Sequence, residues 1–390
     1  FQDLQIFLKK HGEVKNISFI FLKPSLLSNL LNFFNKSGVA SYFFYFAFNL
    51  WHKDVFKFVS KNLKNMNIDL IHQLNPIGYR EPGYLWKLNY PYVWGPIGGL
   101  PKTRVFKNKN LTFTGMLKIK LKNLLNGIQK KFSLRVRNAF KKSQTIIAAN
   151  TENQRIIKAE YGRDSRHIPE NAINEDWLSR EPKEYSKSLD EINLQLVWIG
   201  TINTRKSLDI FIEAANLMRS KNWVLNVCGT GEDLNKLKLL VNKYHIREKV
   251  IFHGNLDRED VLKVLSKSDL HLITSRAEGN PTTLWESMAK MIPTISLDHC
   301  GMKDTITDEC GIKIPCEDYN NIIKTFAIKL DEIVDNPRIL ESLQKGLIVS
   351  REQHLWKKRS KVWKEVEDLI KKIENKILLG NVYADRYLHP

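Results

Sequence analysis

The sequence predicts an α/β protein built from two Rossmann-like, doubly wound parallel-sheet domains that face a cleft. Three observations carry that expectation. From residue 193 onward, short apolar runs alternate with segments of helical periodicity, the pattern of a parallel sheet covered by helices on both faces. The chain has 390 residues, 43% of them hydrophobic, which exceeds the roughly 250 to 300 residues at which one core stops growing. A polar, aperiodic stretch, PENAINEDWLSREPKEYSKSLDEI, punctuated by Pro169 and Pro182, divides this regular half from a less regular one. The expected boundaries are a first domain at 1–178, a second at 190–352, and a closing helix within 353–390 that packs back toward the first domain.

In the second half the elements follow without a break. NLQLVWIG reads as a strand, RKSLDIFIEAANLMRS as a helix, WVLNVCG as a strand and EDLNKLKLLVNKYH as a helix. KVIFHGN, DREDVLKVLSKS, DLHLITS, TLWESMAK and IPTISLD then alternate as strand, helix, strand, helix and strand. Helical stretches near 318–335, 337–350 and 355–376 close the chain. In the first half, strands are expected at NISFIFL, IDLIHQL, YPYVWGP and QTIIAAN, with helices at 42–64, 116–140 and 151–160. FQDLQIFLKKHGE reads as a helix end, so an opening strand with a Gly-rich turn is not visible. The chain begins with Phe1 and is expected to start inside a longer sequence, with its first domain truncated.

The net charge of +19 is unevenly placed. Residues 1–180 hold 29 Lys and Arg against 11 Asp and Glu, leaving 32 against 31 for the remainder. Residues 101–142 carry thirteen basic residues and no acidic one, interleaved with Met116, Leu117, Ile119, Leu121, Leu124, Leu125, Ile128 and Phe132. Such a segment can lie on an anionic bilayer, grip nucleic acid or form a solvated face. It lacks a recognisable nucleic-acid reading module, and its aromatics form no stacking platform, so no nucleic-acid partner is expected. Cys228, Cys300, Cys310 and Cys316 form no C-x-x-C pair and read as reduced, packed thiols. The longest apolar run, SYFFYFAFNLW at 41–51, falls well short of the ~20 residues of a spanning helix.

The chemistry concentrates in EGNPTTLWESMAK at 278–290. Thr283-x-x-Glu286 has the form of a capping box, in which a threonine and a glutamate satisfy orphan amides at a helix start. The alternative is a ligand site, because DLHLITS ends a parallel strand just before it and ligands bind beyond the carboxyl ends of such strands. Gly279 then lets backbone approach a ligand, Asn280 and Pro281 line the crevice, the free amides at Thr282 and Thr283 offer partial positive charge to a phosphate or polar hydroxyls, and Glu278 and Glu286 accept from sugar hydroxyls. WIGTINTRKSLDIF is a second strand, turn and helix, placing Arg205 and Lys206 at a helix entrance where cations are mildly unfavourable unless they meet an anion such as a diphosphate. CGTGED, with Gly229 and Gly231, and FHGNL, with His253 and Gly254, end neighbouring strands and can hold a base and ribose. No Asp-x-Asp metal signature lies near this crevice, and no metal is expected.

GTINTRKSLDIFIEAA, VCGTGED, VIFHGNL and EGNPTTLWESMAKMIPTISLDHCGMKD, spread over roughly 190–350, resemble the nucleotide-sugar-binding domain of glycosyltransferase family 4, retaining enzymes of the GT-B fold. That resemblance implies donor contacts from Gly200, Thr201 and the residues above. The family's E-x7-E motif falls on Glu278 and Glu286, with Glu286 on the ribose, Glu278 on the transferred sugar, and Arg205 and Lys206 on the diphosphate. DLIHQLNPIGYREPGYLWKLNYPYVWGPIGG is similar to a bacterial polysaccharide and lipopolysaccharide branch with a G-P-x-G-G motif, which implies acceptor-side positions at His72, Arg80, Gly95, Gly98 and Gly99. PENAIN resembles an interdomain signature, with Ala172 where glycine is usual. Thr201 replaces the family's usual arginine, and Ile97 stands near the place of its usual histidine.

The expectation is therefore a metal-independent, front-face transferase with no cofactor. It moves a hexose or N-acetylhexosamine from a UDP- or GDP-linked donor to a saccharide or lipid-linked acceptor. The basic segment 101–142 would bring it to an anionic surface, placing it in the cytoplasm and peripheral to the inner face of the plasma membrane. A sugar-nucleotide epimerase of the same fold and a nucleic-acid-binding protein are the alternatives.

Overall fold

The computed structural model describes residues 2–12, 14–36, 43–66, 68–106, 113–178, 193–366 and 368. Among these, two separate parallel sheets define two α/β domains. The first sheet has four strands in sequential order, β1 (Ile71–Gln73), β2 (Tyr92–Ile97), β3 (Thr145–Ala148) and β4 (Arg166–His167). Tyr92, Val93, Trp94, Ile146 and Ile147 are buried on its two faces, as expected of strands covered on both sides. Around it lie α1 (Gln2–His11), α2 (Leu26–Lys36), α3 (Phe43–Asn62), α4 (Phe113–Phe132), α5 (Leu134–Lys142) and α6 (Thr151–Tyr161).

The second sheet joins β5 (Leu194–Ile199), β6 (Trp223–Cys228), β7 (Val250–Gly254), β8 (Leu270–Ile273), β9 (Thr294–Leu297) and β10 (Gly311–Ile314), all parallel, in the order β10-β9-β8-β5-β6-β7. The connections are α7 (Asp209–Leu217), α8 (Leu234–Lys243), α9 (Arg258–Lys267), α10 (Thr282–Ala289) and α11 (Cys300–Thr305). Then α12 (Tyr319–Asp335) and α13 (Arg338–Gln353) follow. β5 lies between β6 and β8, so the winding reverses there and opens a crevice beyond the carboxyl ends of β5 and β8.

The second-half elements lie where their periodicity places them, with β10 and α11 added; of the helix expected at 355–376, residues 367 and 369–376 lie outside the described residues. In the first half one expectation fails: NISFIFL is not a strand, and residues 17–25 have no regular structure. No described strand pairs with it, and Ile17 and Ile20 are exposed. An apolar run becomes a strand only where a neighbour takes its amides. Here the segment is tied to α3 by Trp51 Nε1, which donates to the Leu22 carbonyl at 3.1 Å. The four cysteines are free thiols.

The carboxyl edges of the two sheets meet. Asp304 of α11 accepts from the Thr151 amide and hydroxyl, both at 2.6 Å, a carboxylate placed on the positive end of α6. Asn280 Nδ2 donates to the Ala149 carbonyl at 2.7 Å. Arg276, fully buried, donates to the Phe106 carbonyl at 3.3 Å and sits 5.2 Å from the centre of the Phe106 ring. A helical stretch at 356–366 returns to the first sheet, where Trp363 and Val366 pack with Val93, Ile147 and Ile168. On the way Arg359 donates to the Pro169 carbonyl at 3.0 Å.

Candidate functional site

The site begins with two glycines that make room for a turn. A Cβ on Gly229 would lie 1.9 Å from the Gly200 carbonyl oxygen, and one on Gly231 would lie 2.1 Å from that of Ile202. The G-x-G after β6 therefore seats the turn after β5 by direct backbone packing. Gly200 and Ile202 complete the contact by donating to the Cys228 and Thr230 carbonyls. This turn then carries Thr201, which is exposed, and Arg205 and Lys206 into the crevice.

Both cations converge on Glu278. Arg205 Nη1 and Lys206 Nζ lie 2.9 and 2.6 Å from the same oxygen, Glu278 Oε2, and Arg205 also donates to the Ala277 carbonyl at 3.0 Å. Burial opposes the charged carboxylate, but the charges of Lys206 and Arg205, with hydrogen bonds from Lys206 and Ser275, hold its pKa below the ordinary value. One acid and two bases leave a net positive, partly desolvated cluster at the winding reversal. Such a cluster suits an anion.

Glu286 is placed differently. Thr283 does not cap α10: the helix starts at Thr282, Pro281 is its N-cap residue, and no side chain caps it. The capping box thus does not form. Glu286 is buried on α10 and accepts from Arg258 Nη2 at 2.9 Å, a residue whose guanidinium lies 4.4 Å from the centre of the Trp177 ring. Burial raises the Glu286 pKa, and Arg258 offsets part of that. The pair of acids consequently spans two subsites, one cationic around Glu278 and one around Glu286, Arg258 and Trp177. Near the end of β7, His253 has Nε2 2.9 Å from Asn226 Oδ1, and Gly254, the last residue of the strand, has space where a Cβ would be.

The loop between the acids is tied to the interdomain segment. Glu170 accepts from the Asn280 amide at 3.2 Å and from Asn280 Nδ2 at 2.5 Å, and Asn171 Nδ2 donates to the Asn280 carbonyl at 3.1 Å. Burial raises the Glu170 pKa, partly countered by these bonds. The Gly279 carbonyl accepts from the Gly301 amide at 2.9 Å. The start of this loop is therefore already engaged by protein, whereas Thr282 and Thr283 open α10.

On the first domain, His72 of β1 lies with Nε2 3.0 Å from the Gly95 carbonyl and meets the Trp363 ring at a tilt, 5.1 Å between ring centres. Gly95 packs β2 onto β3, since a Cβ there would lie 2.2 Å from the Ile147 carbonyl oxygen. Gly98 pairs with Gly78 at the end of the sheet, and Gly99, in the left-handed region with φ 77°, has open space around it. Arg80 donates to the Tyr45 hydroxyl at 3.2 Å. Sequence reasoning missed Arg258, Trp177, Glu170, Asn171 and Asp304. Arg258 lies four positions after Gly254, within the stretch already read as a helix start, and PENAIN marks Glu170 and Asn171 only as a junction.

Residues 180–346 match a family model described as Glycosyl transferases group 1. An uncharacterized glycosyltransferase of Methanocaldococcus jannaschii is 27% identical over 183 residues, covering 44% of each chain. The first curated relatives are each matched over less than half of their length. Among solved structures, the lipopolysaccharide outer core galactosyltransferase WaaB aligns with a TM-score of 0.57 at 17% identity, over 84% of this chain and 80% of that one. HepE of Anabaena, solved in complex with UDP and glucose, aligns with a TM-score of 0.57 at 13% identity, over 94% and 89%. The chain thus has the two-domain GT-B fold, and its second half is similar in sequence to the glycosyl transferases of group 1.

Proposed function

We propose that this chain is a retaining glycosyltransferase moving a hexose or N-acetylhexosamine from a UDP- or GDP-linked sugar to a hydroxyl of a saccharide or lipid-linked saccharide. The observation that carries the reading is the convergence of Arg205 and Lys206 on Glu278 at the winding reversal, opposite the first domain. In the reaction the bond between the anomeric carbon and the diphosphate breaks, and the two cations stabilise the charge that collects on the leaving oxygen. The acceptor oxygen attacks from the same face, and its proton passes to the departing phosphate. Glu278, held ionised, positions the cations and accepts from sugar hydroxyls, while Glu286 with Arg258 and Trp177 serves the ribose and base. No metal is required where two fixed cations take that charge.

Similar proteins support the substrate class, since HepE was solved with UDP and glucose and WaaB is a lipopolysaccharide outer core galactosyltransferase. The cationic segment 101–142 supports a peripheral location at the inner face of a bacterial plasma membrane. The test is calorimetry with a panel of nucleotide sugars, followed by product analysis with labelled donor. Glu286→Ala is expected to weaken donor binding about tenfold, and Arg205→Ala with Lys206→Ala to slow transfer about 10²- to 10³-fold. Unchanged donor affinity in Glu286→Ala removes the ribose role. Release of free epimerised sugar, with no elongated acceptor, favours the epimerase instead.

A further inference from the structure

A third acid stands at the loop that joins Glu278 to α10, and it comes from the interdomain segment. Glu170 accepts from the Asn280 amide at 3.2 Å and from Asn280 Nδ2 at 2.5 Å, one donor on each carboxylate oxygen. Its Oε1 also lies close to Gly279, where a Cβ would stand 2.9 Å from that oxygen. Gly279 thus makes room for a carboxylate of this chain, one position after Glu278. The loop is fixed from both sides, because Asn171 Nδ2 donates to the Asn280 carbonyl at 3.1 Å and Asn280 Nδ2 donates also to the Ala149 carbonyl at 2.7 Å.

The three acids differ in what neutralises them. Glu278 has two cations on one oxygen, and Glu286 has Arg258. Among the described residues no cation forms an ion pair with Glu170. Its charge favours the cationic form of the buried Arg359, but that guanidinium is turned to the Pro169 carbonyl at 3.0 Å and to the Trp285 ring, 5.8 Å from its centre. Burial raises the Glu170 pKa, the bonds from Asn280 counter it, and the charge of Glu278 raises it further. Glu170 is only half-buried, and a carboxylate has about four acceptor sites, of which Asn280 fills two. It can take further donors.

We propose that Glu170 is a specificity-determining residue for the transferred sugar, accepting from the hydroxyls of an uncharged sugar and barring a donor whose sugar carries a carboxylate. The inference rests on the glycosyltransferase reading, which puts the diphosphate on Arg205 and Lys206 and the sugar on Glu278. A sugar so held extends along Gly279 and there meets Glu170. Hydroxyls suit this acid because they are donors that bring no charge. A uronic acid would instead set a second carboxylate beside a half-buried one that has no paired cation, and like charges in such a place repel. Arg205 and Lys206 do not relieve that repulsion, since Glu278 and the diphosphate already share them. Glu170 therefore narrows the donors to hexoses and N-acetylhexosamines and excludes hexuronic acids.

Calorimetry on the full chain with UDP, UDP-glucose and UDP-glucuronic acid tests this, with GDP, GDP-mannose and GDP-mannuronic acid for a guanine site. The neutral sugar nucleotide is expected to bind at least about tenfold more tightly than its uronic acid counterpart. Glu170→Gln, close in shape but uncharged, is expected to shrink that ratio to within about twofold. Glu170→Asp, which retains the charge, is expected to keep most of it. The ratio is decisive because a carboxylate that only ties Asn280 to the interdomain segment would weaken both donors alike when replaced. Should Glu170→Gln fail to fold, as read by its unfolding midpoint, Gly279→Ala displaces the carboxylate with its Cβ and is expected to shrink the ratio in the same way. Equal binding of the two sugar nucleotides by the parent overturns the proposal, as does an unchanged ratio in Glu170→Gln. Failure of every nucleotide and sugar nucleotide to bind removes the transferase reading and this inference with it, whereas binding of both sugar nucleotides without discrimination removes only this inference.

Discussion

At the scale of single residues, Glu278 shows how one carboxylate can be both structural and available to a ligand. It neutralises one of two cations and fixes both, so an arriving diphosphate meets charges that need little reorganisation. Its folded pKa is depressed below the ordinary 4.5. The stability it contributes is therefore fully present above about pH 4.5 and is lost as pH falls through the lower folded value. Glu278→Gln is accordingly expected to cost stability at pH 7, with the difference from the parent shrinking in acid below that range, as read by urea unfolding at each pH. Glu286 and Glu170, whose pKa values are raised by burial, have the opposite sign and are relieved by protonation. The thiols answer to burial as well: those of Cys228 and Cys316 are pushed up to about 11, and that of Cys300 is pushed up further. At pH 7 they are thiols rather than thiolates, and only slow modification of Cys316, the one half-buried cysteine, is expected with a maleimide under native conditions.

At the scale of elements, α4 carries the clearest conflict between local pattern and burial. Its lysines and leucines were legible as a cationic, partly amphipathic stretch, yet periodicity alone left open which side would face the protein. The structure buries Ile119, Asn126 and Lys130 and exposes the leucine stripe: the Tyr79 and Tyr161 hydroxyls donate to the carbonyls of Asn126 and Lys130, and Lys130 faces Glu160. Leu121→Glu with Leu124→Glu is expected to abolish binding to phosphatidylglycerol vesicles without lowering the unfolding midpoint, since neither side chain is in the core. Equal vesicle binding by the variant would return α4 to a solvated face. The strand expected at NISFIFL failed for the converse reason: its apolar residues have strand spacing but no strand edge beside them. The capping box at Thr283 failed because Pro281 already begins the helix, and Arg258, 28 residues earlier in the chain, pairs with Glu286.

At the scale of the whole molecule, the two domains are joined by polar contacts at the carboxyl edges of their sheets and by apolar packing of Phe106, Trp363 and Val366. Asn280 bridges Ala149 and Glu170, and Asp304 holds the start of α6. Asn280→Ala leaves the buried Ala149 carbonyl and the half-buried Glu170 carboxylate each one donor short. It is expected to cost about 1 to 3 kcal/mol of stability, measured by denaturant unfolding. A smaller loss would mean that water replaces those donors.

By itself the sequence determined the alternation of strands and helices, the division into two domains and the residue types of the cation and acid motifs. Those are local properties, set by periodicity and by what can follow a parallel strand. Only the tertiary structure decided that Arg205 and Lys206 share one oxygen of Glu278, that Arg258 and not a capping amide takes Glu286, and that the leucines of α4 face outward. Each depends on which chain segments become neighbours. That choice is made by the burial of cores and the order of strands, at separations in sequence where local pattern carries no information.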